Sequence, residues 1–353
     1  MQAIVYHDNK DLRLEDIPEP SPGPGEAKLR ITGTSICATD IEEWQYGPLW
    51  VQHGSPNAMT GKQTPLVIGH ETAGTVVELG DGVDNVAVGD RVAINTVLTC
   101  GTCFWCIRGQ QSVCPNMAVA GFMADGGLAE FMVWPAGKLV PMPDSISDTE
   151  GPLLEPATVA VHGVRRSGVR PGDNVAIIGC GTVGLLSVQA FKAAGARVIA
   201  LDIREQSLTL AKELGADEVI SSRDESAAGA NILELTGGIG PDIAVETAGA
   251  KETPRMAIEW TRRGGTTLLI GIYSTTPEIN FNNVVGPELT IIGSVATSPG
   301  DLEAAVELVG SGKINVKPLI SEIVPLSRAM EDGFERMLDP NKDIYRIVIQ
   351  PIS

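Results

Sequence analysis

Apolar and polar positions follow two different rhythms along this chain, and the change falls near residue 151. Over residues 1–150, short strand-like runs recur: AKLRITG from Ala27, GTVVELG from Gly74, DRVAINT from Asp90 and AEFMVWP from Ala129. Turn-forming clusters separate them, among them PSPGPGE, GDGVDN and PDSIS. Such spacing predicts a Greek-key barrel or a partly open sheet.

From residue 151 apolar runs alternate with helical segments. NVAIIG is followed by TVGLLSVQAFKAAG, then RVIALD, REQSLTLAKELG and DEVISS, and later DIAVETAG, GTTLLIGI and LTIIGSVA. The strands are continuously apolar, as in a parallel sheet covered on both faces. The pattern predicts a doubly wound α/β fold. In the tail, DLEAAVELVGSG and SRAMEDGFERML read as helical and IYRIVIQ as extended. The tail is expected to fold back on the first domain. The expected boundaries are 1–150 with 297–353, and 151–296.

A length of 353 residues suits two cores, and 43% apolar residues are enough to fill them. The net charge of −18 argues against nucleic acid and anionic membranes as partners, because phosphate binding needs clustered cations. No basic-then-apolar leader opens the chain and no apolar run is long enough to span a bilayer, so a cytoplasmic protein is expected. Six cysteines in such a chain point to metal or catalysis rather than disulfides.

Gly179-Cys180-Gly181-Thr182-Val183-Gly184 fits G-x-G-x-x-G directly between a strand and a helix. The first glycine permits a tight turn, the second lets a pyrophosphate approach the backbone, and the third lets helix pack on strand. The helix N-terminus then offers amide protons and a positive dipole end to the phosphates. Asp202 closes the next strand, with Ile203 and Arg204 after it; a carboxylate there bonds ribose hydroxyls and favours NAD over NADP. Arg204 argues weakly the other way, since an arginine can accept a 2′-phosphate. Cys180 reads as a packing residue.

Cys100, Cys103, Cys106 and Cys114 place four thiolates within a segment spanning 99–115. Four soft ligands without a fifth are what a closed, structural zinc requires. Arg108 is the one basic residue there, so a nucleic-acid zinc ribbon is disfavoured. Cys37, His70, Glu71 and Glu155 are each ordinary taken alone.

Together these features identify a family. Cys37-Ala38-Thr39-Asp40, Gly69-His70-Glu71, Gly89-Asp90-Arg91-Val92, the four-cysteine lobe, Glu155-Pro156 and the glycine motif resemble the zinc-containing medium-chain dehydrogenases along essentially the full chain. Glu155, where many simple alcohol dehydrogenases carry a cysteine, resembles the polyol branch, which holds sorbitol, threonine and butanediol dehydrogenases. The loop from Tyr46-Gly-Pro to Gly61-Lys-Gln-Thr-Pro is most similar to the butanediol enzymes.

The resemblance implies a Rossmann domain beside a mostly β, GroES-like catalytic domain. It implies two zinc ions per subunit, one structural and one catalytic, and NAD. Cys37, His70 and Glu71 would hold the catalytic zinc, with Glu155 binding it or standing behind a bound water. The implied reaction is hydride transfer from a secondary alcohol to NAD, on a vicinal diol, with sorbitol- and threonine-type substrates as alternatives. A non-catalytic zinc-stabilised nucleotide binder is the rival class. Thr39 occupies the family's relay-hydroxyl position. Glu42 stands where a relay histidine is common, either passing the proton itself or lying as a solvated helix residue. Asp40 would orient a ligand. Trp44, Tyr46 and Trp50 either line the substrate pocket or pack in the core. His53 reads as a loop residue and His162 as a packed one. Homodimers or homotetramers joined through LTIIGSVA are implied.

Overall fold

The computed structural model describes residues 1–339 and 344–351. The chain forms two compact units. One comprises Met1–Glu155, Thr297–Ser311 and Val316–Ser353; the other comprises Pro156–Ala296 and Gly312–Asn315.

The first unit is built on strands. Its main sheet runs, in spatial order, through Leu139–Pro141, Arg91–Ile94, Glu71–Leu79, Glu26–Ser35, Arg346–Gln350 and Ile320–Pro325, with Phe131–Pro135 also pairing to Glu26–Ser35. Alternation decides which side faces inward: Ala27, Leu29 and Ile31 of Glu26–Ser35 are all buried in one cluster with Val76, Val92, Ile94 and Met132. A second cluster gathers Ile4, Tyr6, Ile36, Leu66, Ile68, Leu128, Phe334 and Ile347. The tail belongs to this unit, since Arg346–Gln350 pairs antiparallel with Glu26–Ser35.

One expected element differs. The stretch 327–338 is not a single α-helix. It runs from a 3-10 turn (Leu326–Arg328) through π-helical Ala329–Phe334 to one α turn at Glu335–Met337. Gly333 lies within it, and a Cβ there would come within 2.8 Å of Ile36 Cδ1. Close packing of the wound backbone on the core decides this segment, and a widened turn accommodates it.

The second unit is a six-stranded, wholly parallel sheet in the order Glu218–Ser221, Arg197–Asp202, Asn174–Ile178, Ile243–Glu246, Thr266–Leu269, Thr290–Gly293. This is the doubly wound order, and the strand order reverses between Asn174–Ile178 and Ile243–Glu246. Ligands of such sheets bind outside the carboxyl ends of the strands at that reversal. Val175–Ile178 and Val198–Leu201 are completely or almost completely buried, which their unbroken apolar sequence requires. Among the described residues no helix is long and apolar enough to cross a membrane.

Candidate metal and nucleotide sites

Strand register brings the dispersed ligand candidates together. Glu26–Ser35 and Glu71–Leu79 pair antiparallel with Ser35 opposite Glu71. The chain leaving Ser35 passes through Cys37, the N-cap of helix Ala38–Tyr46. The chain entering Glu71 turns at Gly69, whose φ of +100° and 2.7 Å clearance from Leu128 Cγ leave no room for a side chain. His70 follows that turn. Cys37, His70 and Glu71 therefore present ligand atoms that all lie within 4.8 Å of one another.

Charges around this group are balanced by specific partners. Asp40 Oδ2 accepts the Cys37 amide at 2.9 Å, and its Oδ1 lies 3.2 Å from His70 Nδ1. One carboxylate thus orients both residues and leaves Nε2 of the imidazole for ligation. Burial opposes protonation of His70, yet Asp40 and then Cys37 draw its pKa well above the ordinary value. Arg346 grips Glu71 with both arms of its guanidinium, Nε to Oε2 at 2.8 Å and Nη2 to Oε1 at 2.7 Å. Ser35 Oγ also donates to Glu71 Oε2. Burial would raise the Glu71 pKa, and Arg346 outweighs it, so the carboxyl ends below its usual range. Arg346 Nη2 lies 3.6 Å from Cys37 Sγ as well.

Glu155 stands outside the three-residue group, in the first turn of helix Leu154–Ser167. Burial pushes its carboxyl up to about 7; His70 and Arg346 pull it down, while Glu71 and Asp40 push the same way as burial. Thr39 Oγ1 is buried and has no hydrogen-bond partner among the described residues. Glu42 lies one turn further along the helix, partly buried, and that burial raises its pKa. Trp44 is core, edge-on to Phe334; Tyr46 is exposed; Trp50 packs on Phe122. His53 is a loop residue, 3.3 Å from Thr64 Oγ1, and His162 is buried.

The cysteine lobe is local and self-contained. The sulfur–sulfur separations Cys100–Cys106, Cys103–Cys114 and Cys100–Cys114 are 4.0, 3.9 and 3.6 Å. A tetrahedron with metal–sulfur bonds of about 2.3 Å has edges of about 3.8 Å, so the four thiols fit zinc. All four cysteines are free of disulfides. Backbone amides, that of Thr102 foremost, lower the Cys100 thiol to about 6, while burial raises Cys106 to about 11.

In the second unit, Gly179 has φ +98°, and a Cβ on Gly184 would lie 1.9 Å from Gly179 O. A Cβ on Gly181 would meet nothing within 4 Å, so this face of the turn is open to a ligand. Gly181 caps helix Thr182–Ala193, with Thr182 and Val183 in its first turn. Asp202 is buried beneath the turn, its Oδ2 accepting the Cys180 amide at 2.7 Å and its Oδ1 the Arg204 amide at 2.8 Å. Arg204 Nε also faces Asp202, at 3.3 Å, and Ile203 is exposed. The Cys180 thiol is buried, and burial and then Asp202 raise its pKa, as for an inert packing residue.

Two functional residues escaped the sequence reading. Arg346 lies in the tail, 275 residues from Glu71. Glu246 ends an apolar strand as a fully buried carboxylate; its Oε1 accepts from the amides of Ala248 and Gly249 and from Thr253 Oγ1, and its Oε2 from Tyr273. It anchors the loop whose Thr247 Oγ1 donates to Gly179 O at 2.8 Å. A lone Glu ending the run DIAVE was the available signal, since an ionisable residue there needs a reason.

A nucleotide-type turn on a doubly wound sheet, with a strand-rich unit bearing two zinc-type ligand groups, defines a metal-dependent dehydrogenase. The family models of the alcohol dehydrogenase GroES-like domain and of the zinc-binding dehydrogenase match residues 23–144 and 182–311. The chain is 33% identical to (R,R)-butanediol dehydrogenase of Bacillus subtilis (strain 168), over 99% of this chain and 100% of that relative. It is 35% identical to sorbitol dehydrogenase of Gallus gallus, over 93% and 91% of the two chains. The crystal structure of 2R,3R-butanediol dehydrogenase from Bacillus subtilis matches with a TM-score of 0.92 at 31% identity, over 99% of each chain. The chain belongs to the zinc-binding dehydrogenase family, in its polyol branch, and is an oxidoreductase.

Proposed function

We propose that this dehydrogenase oxidises a secondary alcohol of the vicinal-diol type to the ketone, using NAD. The observation that carries the reading is the convergence of Cys37, His70 and Glu71 within 4.8 Å, with Asp40 behind the imidazole. Sulfur, nitrogen and oxygen donors of this kind, with a carboxylate on the far side of the histidine, suit zinc. Glu71 keeps a lone pair on Oε1 after its bond to Arg346. Bound there, zinc supplies Lewis-acid polarisation of an alcohol oxygen. Glu155 completes the set, directly or through a water. Cys100, Cys103, Cys106 and Cys114 would hold a second zinc, whose role would be to pin the lobe 99–115.

Proton handling falls to the helix after Cys37. Thr39 accepts the alcohol proton at its unpartnered Oγ1. Glu42, at i+3 on the same helical face and partly buried, would take that proton from Thr39 through an intervening water, since no hydrogen bond joins the two side chains directly. The Gly179–Gly184 turn and the N-terminus of Thr182–Ala193 receive a pyrophosphate, and the remaining lone pairs of Asp202 accept from ribose hydroxyls. NAD supplies the hydride acceptor there. The facing of Arg204 onto Asp202 supports NAD over NADP.

A vicinal diol is favoured by the likeness to butanediol dehydrogenase at full coverage. A threonine-type substrate is disfavoured because Lys62, the cation bordering segment 37–61, is paired with Asp125 at 2.5 Å. We assign 1–150 with 297–353 as catalytic and 151–296 as cofactor-binding; the compact units differ from these bounds in placing 151–155 with the first and 312–315 with the second. The outer edge of Thr290–Gly293 and the exposed Ile272, Phe281, Val285 and Val295 support a homodimer or homotetramer. A stable 37.1 kDa species in solution would overturn that. A cytoplasmic location accords with the free thiols.

NADH formation by the zinc-loaded enzyme, with and without chelator, tests the reading on (R,R)- and meso-2,3-butanediol, sorbitol, threonine and a simple secondary alcohol. Activity confined to vicinal diols, with NAD, and lost on chelation is expected. Turnover of sorbitol or threonine alone would move the substrate within the branch. No turnover, with zinc and NAD both bound, would overturn the pocket.

A further inference from the structure

Glu43 is a fully buried carboxylate that the chemistry above does not use. It stands on helix Ala38–Tyr46 and faces the segment that follows, where it accepts three successive amides. Oε1 takes Leu49 at 2.9 Å; Oε2 takes Trp50 at 2.8 Å and Val51 at 3.3 Å. No ion pair compensates its burial among the described residues, so these amides are its main compensation. The enclosure is tight. A Cβ on Gly47 would lie 2.2 Å from Glu43 O, 2.3 Å from Glu43 Oε1 and 2.4 Å from the Tyr6 hydroxyl. Gly47 is needed for space rather than for backbone conformation, since its φ is −63°.

What this carboxylate holds leads to the metal group. The Gln52 amide donates to Phe122 O at 2.8 Å, tying the end of the segment to the Phe122 turn. The Trp50 ring lies 6.0 Å from that of Phe122, tilted 56°. The Phe122 ring lies 5.0 Å from the His70 imidazole. Trp50, Phe122 and His70 thus form one row of rings within the first unit, and Glu43 fixes the backbone at its outer end.

We propose that Glu43 is a positioning residue for substrate selection. It freezes residues 49–51 so that Trp50 stays packed on Phe122, whose ring is the one beside His70, and the Trp50–Phe122 pair limits the bulk of the alcohol admitted to the metal group. The inference rests on the zinc-site reading above. Rigid amide bonds to a buried acceptor suit this task, because a wall selects by size only if it cannot yield.

The test is a double-mutant cycle on Glu43→Gln and Trp50→Ala, read as the ratio of kcat/KM for 2,3-butanediol to that for the bulkier 1-phenyl-1,2-ethanediol. Gln keeps the volume of Glu but turns an NH2 group toward amide protons. E43Q is expected to lower the ratio by about tenfold, the scale on which pocket size discriminates. W50A should do the same, and the double variant should add less than about twofold. Zinc content and NADH affinity should match the wild type throughout. Should E43Q fail to fold, Glu43→Asp, which keeps the carboxylate one methylene back, should shift the ratio in the same direction by less. An unchanged ratio in the folded Glu43 variant overturns the proposal, and so does a fully additive cycle. Wild-type turnover that survives chelation would instead overturn the zinc-site reading, leaving the ratio to judge Glu43 independently.

Discussion

The two ligand groups of the first unit are assembled in opposite ways. Cys100, Cys103, Cys106 and Cys114 come from one short, irregular segment and meet through turns alone. Cys37, His70 and Glu71 come from a helix start and a strand start, joined by strand register, and Arg346 reaches them from the tail. The first set is four thiols, whose thiolates would be balanced by a bound cation. The second is held by side chains from outside it: Arg346 pairs with the buried Glu71 and Asp40 faces the buried His70, while Cys37 is partly buried. A local set suits a metal that stabilises the chain, whereas a set of three ligands oriented from outside leaves a coordination position for a substrate oxygen.

Substitution at one ligand of each set should separate the two roles. Cys37→Ser is expected to lower kcat/KM by about 10³-fold, the equivalent of several kcal/mol of Lewis-acid stabilisation, with little change in Tm. Cys103→Ser should do the reverse: zinc falls from two ions per chain to one, Tm drops by about 5 °C for a loss of some 3 kcal/mol, and the folded fraction keeps its kcat. Calorimetry, metal analysis and steady-state kinetics on both variants decide the matter. A matched fall in Tm for both would erase the distinction.

Asp40→Asn sharpens the comparison, because only the dispersed set depends on an outside carboxylate. It should weaken zinc retention at that set by about 10–100-fold, measured by competition with a chelator, and leave the lobe zinc in place. Equal loss from both sites would show that Asp40 acts on the fold and not on His70.

The smallest effect is expected at Asp242, in the other unit. Burial raises its pKa, but Arg262 at 2.6 Å and the Asn174 amide at 2.8 Å outweigh burial and hold the carboxyl below its unfolded value of 3.8. A depressed carboxylate contributes stability above its unfolded pKa and loses it as pH falls through the folded one. Asp242→Asn should therefore cost about 1 kcal/mol at pH 7 and nothing once pH has fallen below the folded pKa, with kcat unchanged. A cost persisting in acid would assign the effect to packing.

Much of the fold was legible because its determinants are local. Unbroken apolar runs separated by helical periods marked the parallel sheet, and alternation marked the strand-rich unit. The segment 327–338 was misread as one helix because its periodicity does not register that Gly333 must pack against Ile36. Trp44, Tyr46 and Trp50 could not be sorted from sequence, since wall, surface and core residues share the same composition there. In the structure they became a core residue, an exposed one and a member of the ring row beside His70.

The sequence by itself determined the doubly wound class, the glycine turn and the cysteine spacing, since each rests on residues within a few positions of one another. Tertiary structure alone decided that Arg346 neutralises Glu71, that Glu246 anchors the loop against the glycine turn, and that Glu43 holds the segment carrying Trp50. Each of these is a buried carboxylate, and its burial must be compensated by whatever donors the register and the loops bring to it. Where those donors come from is set by strand pairing and loop packing, which no local pattern encodes.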